Sequence, residues 1–129
     1  MKYITPLLLV LLTACASVNY QPYEGKAGAV FEGQGGSKLV VDGIEFWDNG
    51  APPRKFMVLG YATGAIGAGA YADNMIRSGI AKEVKAKGGS AAILVNGNTS
   101  FRGIVQAAPG VYTAANTREL KYAVIQYAD

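Results

Sequence analysis

The sequence contains no histidine and a single cysteine, Cys15. Without histidine the commonest general base is missing, and with it the serine and cysteine triads and most zinc sites. What would remain for catalysis is serine with lysine, or paired carboxylates, and no spacing in the chain supports either. No catalytic residue, no metal and no cofactor is therefore expected. One cysteine also leaves no intrachain disulfide, so a domain of this size must hold itself by packing or with a partner. Charge is scarce as well: 16% of residues are charged and the formal net charge is +3. Loss of Lys2 would leave about +2, with acids and bases interspersed, which argues against a nucleic-acid surface. Long hydrophobic runs are also missing, since the apolar stretch from Ile4 to Leu12 falls far short of the roughly 20 residues that span a bilayer.

That short run is informative for its flanks. Lys2 and the amino terminus form a minimal positive region, Ile4 to Leu12 an apolar one, and small residues precede Cys15, which is the order of a secretory signal over residues 1–14. A short buried helix, or an ordinary signal with a coincidental cysteine, is the competing reading. The motif Leu12-Thr13-Ala14-Cys15 resembles the lipobox of bacterial lipoproteins. The resemblance implies that Cys15 becomes the first mature residue and carries a diacylglycerol, usually with a third acyl chain on its amine. At about 0.8 kcal/mol per buried methylene, two or three chains anchor a protein permanently to a membrane. Ala16 and Ser17 lack the aspartate that retains many such lipoproteins at the inner membrane, so the resemblance implies an outer-membrane anchor in the cell envelope, facing the periplasm.

After Cys15, the stretch 15–36 is polar and glycine-rich without sustained periodicity, and reads as a lipidated N-terminus and flexible tether. A single domain over 37–129 follows. Lys38 to Val41 and Ile44 to Trp47 are β-like runs about an Asp42-Gly43 turn, and Asn49-Gly50 with Pro52-Pro53 forms a longer loop. Arg54 to Gly60 reads as a strand. Asp73 to Lys87 reads as a helix capped by Asp73, with Ile76, Ile80 and Val84 on one face, Asn74, Ser78, Lys82 and Lys85 opposite, and Gly88-Gly89 as its stop. Glu83 and Lys87 form a favourable i, i+4 pair, while Gly79 weakens the helix or permits close packing. Ala91 to Val95 reads as a central strand, joined to Ser100–Gln106 by a hairpin at Asn96-Gly97. Pro109-Gly110 marks another turn, and Tyr122 to Tyr127 is a last strand, with Tyr122, Val124 and Gln126 on one face and Ala123, Ile125 and Tyr127 on the other.

Strands, one helix, then strands predict an α+β fold: a small, mostly antiparallel sheet with one main helix packed on one face. The segments Asp42–Trp47, Gly50–Phe56 and Val58–Gly60 are similar to a group of small bacterial lipoproteins with a tryptophan, a Gly-x-Pro-x-Arg turn and a strand ending in glycine. The junction Ala86–Ile93 resembles that of YbjQ-like domains and of the Rcs envelope stress-sensor lipoprotein. These resemblances bear on fold. The Rcs sensor is held by disulfides that this chain cannot form, so a signalling role does not transfer.

Candidate binding residues are few. Trp47 and Arg54 flank one loop, and a guanidinium over the indole would form a stiff recognition surface worth about 0.5 to 2 kcal/mol; a buried tryptophan beneath a surface arginine is the plainer alternative. Tyr61 joins them as a candidate interaction surface, and a ligand site near Trp47, Tyr61 or Tyr112 is the corresponding small-molecule reading. Gly64, Gly67 and Gly69 lie in an uncharged stretch, Phe56 to Ala72, which would pack against lipid or another copy as a glycine zipper, or simply link a strand to a helix. Gly67 to Ala72 also fits the glycine pattern of dinucleotide sites, but the loop is too long and no acidic residue ends the next strand. Asp42, Glu45 and Asp48 do not converge, because three-residue spacing in an extended chain turns Glu45 to the other face. Asn98-Thr99-Ser100 matches a glycosylation acceptor but reads more simply as the end of a hairpin turn.

The expectation is a lipoprotein anchored through Cys15, with a non-catalytic structural or interaction domain, an envelope protein as partner, and no nucleic acid. Binding of a small ligand or peptidoglycan fragment is one alternative, and oligomer packing through segment 60–72 another.

Overall fold

The computed structural model describes residues 17–26 and 28–128, with side chains left out at 98–108 and 111–115. Residues 1–14 and the Leu12–Cys15 motif lie outside the described residues. The elements run β1 (Ser17–Pro22), β2 (Val30–Glu32), β3 (Ser37–Val41), β4 (Ile44–Asp48), β5 (Lys55–Gly67), α1 (Ala72–Ala86), β6 (Ala91–Ala108) and β7 (Val111–Tyr127). Among the described residues these seven strands form one sheet in the order β1-β5-β7-β6-β4-β3, with β2 also pairing to β5. All pairings are antiparallel except β4 with β6. The architecture is α+β, a mostly antiparallel sheet with one helix packed on it, as the element order predicts. No helix among the described residues is long and apolar enough to cross a membrane.

The helix is seated by one stripe. Ala72, Ile76, Ile80, Ala81 and Val84 are buried, at the i, i+4 spacing that places side chains on one face. Ile76, Ile80, Ala81 and Val84 meet Phe46, Ala62, Leu120, Tyr122 and Val124 from the sheet. Fully burying one such aliphatic side chain stabilises by about 1.5–3 kcal/mol, so the stripe holds the helix to the sheet. The C-terminus closes with Gly88 N–H donating to Lys85 O and Gly89 N–H to Val84 O, a Schellman motif whose left-handed position, φ 75°, is glycine. The N-terminus differs from expectation. Tyr71 is the cap residue, with no side-chain capping bond, and Asp73 instead accepts from Arg118 Nε at 2.8 Å. The pair ties the first turn of the helix to β7, a tertiary link that a local cap would not make.

Four further boundaries differ from the sequence reading. The stretch 15–36 is not free tether from Ser17 onward: β1 pairs with Gly60–Ala65 and β2 with Lys55–Met57, and Gly33 N–H and Gly35 N–H donate to Pro52 O and Ala51 O. Polar composition hid β1 because only Val18 and Tyr20 face the helix core. The strand read as Arg54–Gly60 continues through Gly67, carrying a bulge between Val58 and Gly60. Asn96-Gly97 is no hairpin: it lies within β6 beside a bulge between Leu94 and Asn96, so the extra residue, not a reversal, accounts for the break in pattern. Asn98-Thr99-Ser100 is accordingly inside a strand, and the chain reverses at Pro109-Gly110. By contrast, Asp42-Gly43 turns as expected, both residues having positive φ (52° and 83°), which suits a two-residue hairpin.

Gly64 lies directly beneath the helix. A Cβ built there would stand 2.5 Å from Ile76 Cγ2, whereas one at Gly67 or Gly69 would meet nothing within 4 Å. The small residue is thus a seat for the helix. Gly64→Ala is expected to cost about 1–3 kcal/mol through overpacking, and Gly67→Ala to stay within about 0.5 kcal/mol of the parent; urea unfolding of the two variants measures both, and equal effects would remove Gly64 from this role.

Candidate functional site

The sheet is apolar on both faces, but only one carries a helix. Trp47, Phe56, Ala91, Ala123 and Ile125 are buried on the other face, with Ala51, Val58, Tyr61, Ile93 and Tyr127 packed around them. Two loops close over this second cluster, held together by the bonds from Gly33 and Gly35 to Pro52 and Ala51. Phe31 of β2 adds its ring 6.1 Å from that of Phe56.

Trp47 and Arg54 do meet here, through a third residue. Trp47 Nε1 donates to Tyr127 Oη at 3.1 Å, and Tyr127 Oη donates in turn to Glu45 Oε1. The Arg54 guanidinium lies 3.7 Å from the centroid of the Tyr127 ring, so the cation sits on the phenol and not on the indole. The indole is approached instead by Lys38, at 5.9 Å, which also pairs with Glu45 at 3.6 Å. Backbone bonds fix the tyrosine: its N–H donates to Ser90 Oγ, and Ala128 N–H to Lys55 O. The hydrogen bond from Tyr127 holds the Glu45 carboxyl below its usual range, with Lys38 acting in the same direction. Burial, and then the bond to Glu45, push the Tyr127 phenol up to about 12. The phenol therefore keeps its proton and the carboxylate stays ionised at neutral pH, each satisfying the other.

That arrangement is a closed knot. Trp47 is 9% exposed, and among the described residues no buried side-chain nitrogen or oxygen lacks a partner. It offers a ligand little. Tyr61 belongs to the same apolar cluster but not to the polar network. It stands by a small cleft of about 260 Å³, with Tyr23 6.3 Å away and Lys121 4.9 Å over its ring. Tyr112 sits far along β7 from the tryptophan's neighbour Ala123, about 35 Å at 3.3 Å per residue, and its side chain lies outside what the structure describes.

The open feature lies elsewhere, between α1 and β1. Val18, Tyr71, Asn74, Met75, Ser78, Gly79 and Lys82 line a mainly apolar groove of about 500 Å³. Tyr71 and Met75 are 74% and 41% exposed. Gly79, which weakens the helix intrinsically, forms part of the groove floor. No described strand pairs with the outer edge of β1, so one wall of this groove presents free backbone donors and acceptors. No family model, curated protein or solved structure matches the chain. The groove must be judged by its own chemistry.

Neither Tyr127 nor the groove was among the residues singled out from sequence. Tyr127 was legible by alternation, since it follows Ala123 and Ile125 on one face. Tyr71 and Met75 form an i, i+4 pair displaced from the buried stripe, a signal of a second apolar face on the helix. The glycines expected to pack against lipid or another copy divide: Gly64 is under Ile76, and Gly67 and Gly69 face open space. Gly67 and Gly69 do not cradle a phosphate either, because Asp73 already occupies the first turn with Arg118.

Tyr127→Phe removes the shared hydroxyl and leaves Trp47 Nε1 and Glu45 short of a partner, so it is expected to cost about 1–3 kcal/mol. Because the folded Glu45 carboxyl titrates below its unfolded value, its contribution is present above the unfolded range and is lost as pH falls through the folded one. The raised phenol acts oppositely: stability is lost as pH rises from about 10 towards about 12. Denaturant unfolding across pH should show both limbs flattened in Tyr127→Phe, and unchanged limbs would count against the network.

Proposed function

We propose that the protein is an envelope lipoprotein, acylated at Cys15, whose domain is a non-catalytic interaction module that takes an extended segment of a partner protein in the groove between α1 and β1. The single observation behind the binding role is that groove: an apolar trough beside an unpaired strand edge, lined by the exposed Tyr71 and Met75. An extended peptide laid against β1 gains main-chain bonds from the edge and side-chain contacts from the trough. Asn74, Ser78 and Lys82 supply a polar rim that fixes orientation. The lipobox-like motif supports the anchor, and the expected outer-membrane address follows from the residues after Cys15. Closure of the Trp47 knot supports a structural part for Trp47, while Arg54 stays exposed above the Tyr127 ring and Tyr61 half-buried beside its cleft.

A second reading draws on the same volume. A trough of about 500 Å³ falls within the roughly 300–1,000 Å³ of small-molecule sites, so a small apolar envelope ligand or a peptidoglycan fragment would fit there.

Two measurements test the proposal. Mass spectrometry of membrane-extracted protein should show residues 1–14 removed and acyl chains on Cys15, with Cys15→Ser released from the membrane fraction. A photo-crosslinking residue at Met75 should capture a discrete envelope protein in cells, and capture should fall at least tenfold with Tyr71→Ser while the same probe at Val40 gives none. Adducts of equal yield from both positions would defeat the groove. Saturable thermal stabilisation by a small metabolite, without protein capture, would favour the second reading.

A further inference from the structure

Beyond Gly67, the partner of Thr117, the sheet narrows abruptly. β5 ends there, and among the described residues no third strand pairs with Phe101–Ala108 or Val111–Asn116. These two stretches pair only with each other, from Phe101 opposite Asn116 to Ala108 opposite Val111. They form a two-stranded arm ending at Pro109-Gly110. From Thr117 to Gly110 the arm reaches about 20 Å at roughly 3.3 Å per residue. A lone two-stranded ribbon is marginal in water, and this one has two open edges.

Three observations concern what receives it. First, direction: Ser17 pairs with Ala65, and Ala65 with Glu119, so the chain enters β1 at the same end of the sheet from which the arm projects. Cys15 stands two positions before Ser17, a span of at most about 7 Å. A sheet twist of about 20–25° between neighbours inclines the arm without turning it back. Second, composition: no charged residue occurs from Gly103 to Thr117, nor from Phe56 to Ala72 at the adjoining end of β5 and its loop. Third, the loop bearing on the arm, where Ala68 N–H donates to Asn116 O, leads to Tyr71, an aromatic residue 74% exposed at that end.

We infer that the β6–β7 arm lies in the membrane surface, at the boundary of headgroups and acyl chains, and holds the anchored domain against the bilayer as a second, non-covalent contact. The inference rests on acylation of Cys15. A lipid tied within about 7 Å of Ser17 brings the base of the arm to the membrane, and an arm of about 20 Å stays within the headgroup layer where it lies slanted along the surface. The interfacial depth follows from the open edges, because hydrocarbon cannot satisfy unpaired backbone groups and the headgroup layer, which holds water, can. Beyond Arg102 at its base the ribbon carries no charge and enters that layer without the cost of burying one, and an exposed tyrosine suits the same zone.

The test uses the full acylated protein in phosphatidylethanolamine–phosphatidylglycerol vesicles. An environment-sensitive fluorophore is placed on Val111→Cys, on Thr113→Cys and, at the far end of the sheet, on Val40→Cys, a position 57% exposed. An acylated Cys15 is a thioether and takes no label. The Val111 and Thr113 labels should lose roughly half or more of their emission to shallow lipid-borne spin labels and resist aqueous iodide, with the reverse at Val40. Arm labels that behave like the Val40 label overturn the inference while leaving the anchor intact. Labels shielded from both quenchers place the arm against a second copy of the chain, and overturn it too. A parent protein whose Cys15 reacts with the dye refutes the anchor reading itself, a result the arm labels do not mimic.

Discussion

The structure depends on one constraint: a sheet that is apolar on both faces has a single helix to cover it. The alternation along β7 shows the consequence residue by residue. Leu120, Tyr122 and Val124 turn towards Ile76, Ile80 and Val84, while Ala123 and Ile125 turn to a face with no helix at all. Leaving that second face in water would forfeit the burial of a tryptophan and a phenylalanine, the largest hydrophobic contributions available to the chain. Loops take the helix's place. Pro52, wholly buried, and the backbone bonds that join its loop to Gly33 and Gly35 form a lid without regular structure.

A loop lid lacks the internal hydrogen-bond ladder of a helix and must be tied down from below. The Glu45–Tyr127–Trp47 network with Arg54 on the tyrosine ring does this, joining β4, β7 and the start of β5. Its energetic logic is that each polar group which goes under the lid arrives with its partner, so the burial that closes the second core leaves nothing unpaired. The same completeness explains why the cluster is a poor candidate for chemistry. A phenol with a raised pKa beside a carboxylate with a lowered one moves protons away from exchange near neutrality, whereas an acid–base pair works best when both groups are poised near it.

The helix, the β3–β4 hairpin and the facing of the last strand were legible in the sequence because each rests on a local pattern: the Ile76-Ile80-Val84 stripe, the Asp42-Gly43 turn, and strict alternation from Tyr122. What was not legible depends on pairing at a distance. β1 is an edge strand with only Val18 and Tyr20 turned to the helix core, too sparse a signal beside its polar neighbours. Asn96-Gly97 carries the chemistry of a tight turn but is overridden by ladders that continue on both sides of a bulge. Gly64 resembles linker glycine in sequence, and only the height of Ile76 above it reveals a packing role. At the candidate site, Trp47 and Arg54 were visible as the flanks of a loop. Their meeting point was not, since Tyr127 is 80 residues from Trp47 along the chain.

The correction at the N-terminus alters the physical meaning of Cys15 more than any other. A flexible spacer of about 20 residues would wander some 25 Å from its anchor and let the domain sample every orientation. With β1 starting at Ser17 and paired through Pro22 to β5, that freedom is gone: on the lipoprotein reading, the sheet's own edge strand becomes the mooring line. Orientation is then set by the fold. The uncharged end of β5, the exposed Tyr71 and the β6–β7 arm share the anchored end, while Lys38, Glu45 and the tied lid over Trp47 occupy the opposite one. The groove along β1 runs between these ends, so on the same reading the membrane restricts the side from which a partner reaches it. If the domain is the interaction module proposed above, such a fixed attitude does the selecting that a catalytic residue does in an enzyme: it decides which segments can be presented, and from which side.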